Sequence, residues 1–126
     1  MQGFRELRVW QGALKQAVEV YRITATFPRH ETYGLSTQIQ RAPVSVAANI
    51  AEGKSRDHLG DYLRFVSIAR GSLGEVETYV ELAARLHYVG PEKAEPLFAR
   101  CAAIGRQLHK LRSSLAASRN REGGST

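Results

Sequence analysis

Between Leu59 and Ala83 the apolar residues Leu59, Tyr62, Val66, Ala69, Leu73, Val76, Val80 and Ala83 recur at steps that alternate between 3 and 4. A half-buried strand would need apolar residues at every second position, whereas these steps place them on one face of an α-helix. Alternation sustained over this length is the pattern of left-handed bundle packing. A chain that carries it must cover the seam with other helices. The seam predicts a helix over about residues 58–88, with Asp57 as its N-cap.

Three other segments have the same character. Helix 1 is expected over residues 5–26, with Leu7, Trp10, Leu14, Ala17, Tyr21 and Thr24 as its stripe and Val18 and Ala25 beside it. Trp10 reads as a core or interface anchor, and Pro28 stops the helix. Helix 2 is expected over 32–54, kinked near Pro43, with Gly53 as its C-terminal stop. Helix 4 is expected over 91–118, with Pro91 in the first turn, Pro96 delaying the regular helix, and a seam of Leu97, Cys101, Ile104, Leu108, Leu111 and Leu115. Residues 119–126 hold nothing to bury and read as a disordered tail. Four amphipathic helices with short connections and no strand pattern predict an all-α, antiparallel up-down-up-down four-helix bundle, one domain over residues 4–118.

Two helices carry more than a bundle core needs. Helix 3 has a second stripe in Phe65, Ile68, Ser72, Tyr79, Leu82 and Leu86. Two apolar stripes on one helix point to a partner subunit, with Phe65, Ile68, Tyr79, Leu82 and Leu86 as candidate interface residues. Gly71 and Gly74 fall mid-helix, each at a cost of up to about 1 kcal/mol against Ala. Close approach of another helix and simple tolerance both account for them. Helix 2 carries a polar stripe, Gln38, Arg41, Ser45, Asn49 and Glu52, beside its apolar one. Such groups are costly to bury unless paired. Ser72 and Glu75 of helix 3 can supply partners, and Arg41 with Glu52 or Glu75 would form a charge-assisted pair. A satisfied network that fixes helix register or a subunit contact is the expectation. A substrate pocket is the alternative, disfavoured because the stripe has no histidine, cysteine or nucleophile–base pair.

Charge is uneven over the 126 residues, whose net charge is +6. From Arg100 onward Arg100, Arg106, Lys110, Arg112, Arg119 and Arg121 face one acid, Glu122. A basic end of this kind binds polyanions, or is a solvated helix end. No aromatic residue follows Phe98, so contact would be to phosphates and strongly salt-dependent.

Other chemistry is not indicated. Ala48 to Ser55 satisfies a loose phosphate-loop pattern, but it ends a helix, where the dipole has the wrong sign for phosphate. His30, His58, His87 and His109 are scattered and lack metal-ligand spacing. The single cysteine, Cys101, reads as a small core residue in a reducing compartment. We expect no catalytic residues, no metal and no cofactor. The absence of an apolar leader or a membrane-length run predicts a cytoplasmic protein with no membrane partner.

Certain residues carry a family resemblance. They are Phe4, Leu7, Val9, Trp10 and Gln11; Phe27-Pro28 with Tyr33-Gly34-Leu35; Gln38-Ile39, Arg41-Ala42 and Val44-Ser45 leading to Asn49-Ile50-Ala51-Glu52-Gly53; and Ile68-Ala69 with Gly71-Ser72 and Glu75. Over residues 4–88 the chain resembles the bacterial four-helix-bundle proteins encoded within intervening sequences of 23S ribosomal RNA genes, a family also labelled S23 ribosomal protein. It is similar, too, to accessory proteins of diversity-generating retroelements. The resemblance implies a cytosolic bundle assembling as a ring-like homo-pentamer, and for the retroelement members it implies binding to nucleic acid and to a reverse transcriptase. It carries no shared basic surface, so nucleic-acid binding here rests on this chain's own cations. Two functions are therefore expected: a non-catalytic homo-oligomeric scaffold binding RNA or DNA through helix 4, or an interaction module that recruits a protein partner such as a reverse transcriptase.

Overall fold

The computed structural model describes residues 3–124, with side chains as far as residue 122. Four α-helices make up the body: α1 (Arg8–Thr24), α2 (Leu35–Lys54), α3 (Leu59–Arg85) and α4 (Pro91–Gly124). α1 packs on α2, α2 on α3, α3 on α4, and α4 returns to α1, with no contact across either diagonal. This is the up-down-up-down four-helix bundle. The α2–α3 contact is the most extensive and the α1–α4 contact the least.

Local chemistry sets the ends. A 3-10 turn, Phe4–Glu6, precedes α1 instead of helix, because Leu7 is extended and the Phe4 ring packs edge-on against Trp10 at 5.3 Å. The Thr24 and Thr26 hydroxyls donate to the carbonyls of Tyr21 and Ile23 and finish α1 ahead of Pro28. A second 3-10 turn, Arg29–Glu31, follows Pro28, and α2 begins at Leu35 where residue 32 was expected. Asp57 is not the N-cap of α3: His58 holds that position without a side-chain bond. α3 ends in a Schellman motif, with the Tyr88 N–H donating to the Ala83 carbonyl at 2.9 Å and the His87 N–H to Ala84 at 3.0 Å. His87 takes the left-handed position of that motif at φ 62°. α4 begins at Pro91 and runs through Pro96 without delay. It also continues past Ser118 as far as Gly124, where a disordered tail was expected. No proline stops it, and Arg121 Nη2 donates back to Ser118 Oγ at 3.0 Å. Ser125 and Thr126, the rest of that tail, lie outside the described residues.

The core follows the α3 seam closely but departs from the expectation on α1. There the buried residues are Val9, Ala13, Gln16, Ala17, Val20 and Thr24. Leu14, Val18 and Tyr21 are exposed. Two of the six buried residues are alanine and two are valine, while Trp10 and Ile23 are half-buried against the core. Gln16 is fully buried, and its Nε2 donates to Cys101 Sγ of α4 at 3.1 Å while its Oε1 has no partner. Burial raises the Cys101 thiol pKa to about 11, against a smaller lowering by the Gln16 bond, so it stays protonated at neutral pH.

At one end of the bundle Glu31 ties both connections together. Its carboxylate accepts the Tyr88 hydroxyl at 2.8 Å and the Leu35 N–H, at the start of α2, at 3.2 Å. The Tyr88 hydrogen bond, then the Leu35 N–H, hold the carboxyl below its ordinary value.

The glycines divide by what surrounds them. α2 ends at Lys54, and its C-cap is Ser55 and not Gly53. A Cβ at Gly53 would lie 2.9 Å from Tyr62 Cδ1 and 3.0 Å from Phe65 Cβ, so Gly53 sets the α2–α3 approach. At Gly71 and Gly74 a Cβ would meet nothing within 4 Å.

Two outcomes follow from this packing. Gly53→Ala should destabilise the fold by roughly 1–3 kcal/mol through overpacking, while Gly74→Ala should stabilise it by about 1 kcal/mol through helix propensity; urea denaturation distinguishes the signs. Because its folded pKa is depressed, Glu31 contributes stability above its ordinary value of 4.5 that is lost as pH falls through the folded pKa. Glu31→Gln should flatten that acid limb in a series of thermal melts, and an unchanged limb would assign it to other groups.

Candidate nucleic-acid interface

Antiparallel packing sets the start of α3 against the end of α4. On α3, Gly60, Arg64 and Ser67 share one face by steps of 4 and 3, and on α4 so do Arg112, Ala116 and Arg119. Together with Leu63 and Ser113 these residues line one open cleft of about 570 Å³. The Arg119 guanidinium lies over Gly60, with its carbon 3.5 Å from where a Cβ would stand. Three arginines and two serines thus line it, with no carboxylate among the lining residues. Arginine forks and serine hydroxyls are the donors that phosphate oxygens accept from.

The remaining basic residues of α4 line no part of this cleft and fall on a different stripe of the helix. Arg106, Lys110 and Arg121 are exposed, as are Arg112 and Arg119. Among the described residues none of Arg106, Lys110, Arg112, Arg119 or Arg64 is in an ion pair. Arg100 differs from them. It is half-buried, its Nη2 lies 3.5 Å from Glu19 Oε1 of α1, and its Nε is buried with no hydrogen-bond partner. A guanidinium held in that way braces α1 against α4 and is poorly placed to meet a ligand. Arg64 is absent from the set read off the sequence, which was confined to helix 4. The register of an antiparallel α3–α4 hairpin is the signal that would have found it. Its guanidinium also stacks on Phe65 at 4.8 Å, with Arg56 on the same ring at 4.9 Å.

The polar stripe of α2 is smaller as a network than expected. Ser45 and Ser72 share a hydrogen bond at 2.8 Å across the α2–α3 contact, and Asn49 Nδ2 donates to the Ser45 carbonyl and hydroxyl at 2.8 and 3.1 Å. Ser72 is buried, and Ser45 and Asn49 are half-buried. Gln38, Arg41, Glu52 and Glu75 are exposed instead. Arg41 pairs with neither expected carboxylate: Glu52 binds Arg56 at 2.6 Å, a helical-turn neighbour that needs no long-range alignment. Arg41 and Glu75 line one open cleft of about 400 Å³ without closing on each other.

Ile68, Leu82 and Leu86 each stand more than 40% exposed on the second stripe of α3. Phe65 and Tyr79 are half-buried, and the Tyr79 hydroxyl reaches Glu75 Oε2 at 3.5 Å. Together with Leu14, Val18 and Tyr21 on α1, these residues give the molecule two uncovered apolar faces. Among the described residues no cluster of His, Cys, Asp and Glu is fit to hold a metal ion, and no helix is long and apolar enough to cross a membrane.

The fold and its cationic face place the chain among small helical-bundle proteins without a recognisable reaction centre among the described residues. The 23S rRNA-intervening sequence protein family matches it over residues 5–110, and the chain belongs to that family. A crystal structure of a protein of unknown function from the S23 ribosomal protein family of Bacteroides thetaiotaomicron VPI-5482 is similar. Its TM-score is 0.74 at 25% identity, covering 82% of this chain and 97% of that one. Comparison with curated proteins gives no match. The family match ends before Arg112 and Arg119, so half of the arginine cleft lies beyond it.

The serine–asparagine trio can be tested by removing its donor. Asn49→Leu should cost about 1 kcal/mol of stability in urea denaturation, and an unchanged midpoint would mean that the trio contributes nothing.

Proposed function

We propose that this protein is a non-catalytic, self-associating helical bundle that binds RNA or DNA through phosphate contacts on α4. The observation that carries the reading is that Arg106, Lys110, Arg112 and Arg119 are all exposed on α4 and that, among the described residues, none of them is in an ion pair. Unpaired guanidinium and ammonium groups on one helix attract a polyanion and release its counterions. They offer no means of reading bases, so binding is tolerant of sequence. Self-association is supported separately by the exposed apolar faces of α1 and α3, which a second copy would shield from water. A ring-like homo-pentamer is the assembly that the family resemblance implies. In such a ring, repeated copies of a weak phosphate-binding surface gain avidity.

Light scattering with and without a mixed RNA and DNA pool at ~100 mM salt tests both parts. The expected result is an oligomer that gains mass with the pool and releases it at high salt. Arg106→Glu with Lys110→Glu should weaken binding to every sequence alike and lower the salt slope by about 1 per lost contact. An oligomer indifferent to the pool would overturn the nucleic-acid reading in favour of a protein partner, such as a reverse transcriptase. A monomer would overturn self-association.

A further inference from the structure

The arginine cleft is one end of a longer groove between α3 and α4. Along α3, Ser67, Gly71 and Gly74 continue the face that begins at Gly60, and Glu77, Thr78 and Glu81 follow on it. The far end is a second open cleft of about 560 Å³, lined by Glu77, Thr78, Glu81, Glu95 and Phe98. Of its carboxylates Glu81 is paired with Arg85, while Glu77 and Glu95 are in no ion pair among the described residues. One groove is therefore cationic where it is lined by Arg64, Arg112 and Arg119 and anionic where it is lined by glutamates. Between the two ends the α3 wall is low: Gly71 and Gly74 are exposed, and nothing stands within 4 Å of where their Cβ atoms would be.

We propose that a sugar-phosphate strand lies lengthwise in this groove, over Gly60, Gly71 and Gly74, and stops at the glutamate end. The inference rests on the nucleic-acid reading and adds to it a path, a length and a terminus. Charge complementarity selects the occupant, since phosphates match the arginine end and are repelled by Glu77 and Glu95. The low wall supplies the clearance, because a backbone approaches most closely where no side chain stands. From Gly60 to Gly74 the helix rises about 21 Å, the length of roughly six nucleotides of one stacked strand. Arg70 and Arg106 are exposed beside the middle of this path, so about five cations flank it. The aromatic residue lining either cleft, Phe98, sits at the glutamate end, and the arginine end holds phosphates without stacking bases. With about five contacts the salt slope should reach about −4.5 on a duplex and about −3.5 on a single strand.

The test is titration of the full chain with short mixed-sequence RNA, its DNA counterpart and both duplexes at ~100 mM salt. Gly71→Leu with Gly74→Leu leaves charge unchanged and adds bulk only to the low wall. Binding should fall about tenfold or more while circular dichroism and melting temperature hold or improve. Glu77→Lys with Glu95→Lys removes the stop and should tighten binding severalfold with a steeper salt slope. Arg112→Glu should weaken binding wherever on α4 the strand lies. Wild-type affinity in both the glycine and glutamate variants, with weakening in Arg112→Glu, would overturn the groove path and leave the nucleic-acid reading standing. No binding of any probe by the wild-type chain would overturn both.

Discussion

α3 packs against α2 on one side and α4 on the other, and Val66, Val76 and Val80 on its seam are fully shielded from solvent. Each such side chain contributes on the order of 1.5–3 kcal/mol by leaving water. The bundle depends on that burial, because the neighbouring helices have their own apolar faces only in relation to it. Ile39, Val46 and Ile50 of α2 are equally shielded, as are Ile104 and Leu108 of α4. Gly53 settles how near α2 can come, and the Ser45–Ser72 bond falls along the same contact. Burial supplies the energy of this contact, and a missing side chain and one short hydrogen bond supply its register.

The α3 seam was legible because its steps do not vary, and its buried positions are Tyr62, Val66, Ala69, Leu73, Val76, Val80 and Ala83, with Leu59 at the margin. α1 was misread for a physical reason. It carries apolar residues on more than one side, and periodicity alone cannot tell which side faces the core. The stripe that faces the core is Val9, Ala13, Gln16, Ala17, Val20 and Thr24, and Leu14, Val18 and Tyr21 stay exposed. Gln16 was invisible because its nearest polar partner is the Cys101 thiol, 85 positions away. Arg64 was missed as a companion of Arg112 and Arg119 because it shares their cleft only once α3 and α4 lie antiparallel.

The ion pairs explain why the cations of α4 stand free. Glu52 and Glu81 are each matched by an arginine one helical turn away, and Glu19 holds Arg100. Glu77 and Glu95 line the far end of the α3–α4 groove, away from the arginine cleft. Asp61 of α3 and Glu122 of α4 stand at the arginine end as well, outside the lining of the cleft. The molecule keeps positive and negative ends on one side, which gives that side a polarity that net charge does not convey.

The α1–α4 contact has a mechanical consequence. It is the least extensive of the four, and it holds Gln16 Oε1 and Arg100 Nε, two buried atoms without partners. Polar groups also cross other walls, as Ser45–Ser72 does between α2 and α3 and Gln40–Thr24 between α1 and α2, but those are satisfied. Water that enters this wall meets an acceptor and a donor, so parting it is less unfavourable than parting a wholly apolar wall. Of the four walls, the one between α1 and α4 is accordingly the least costly to part.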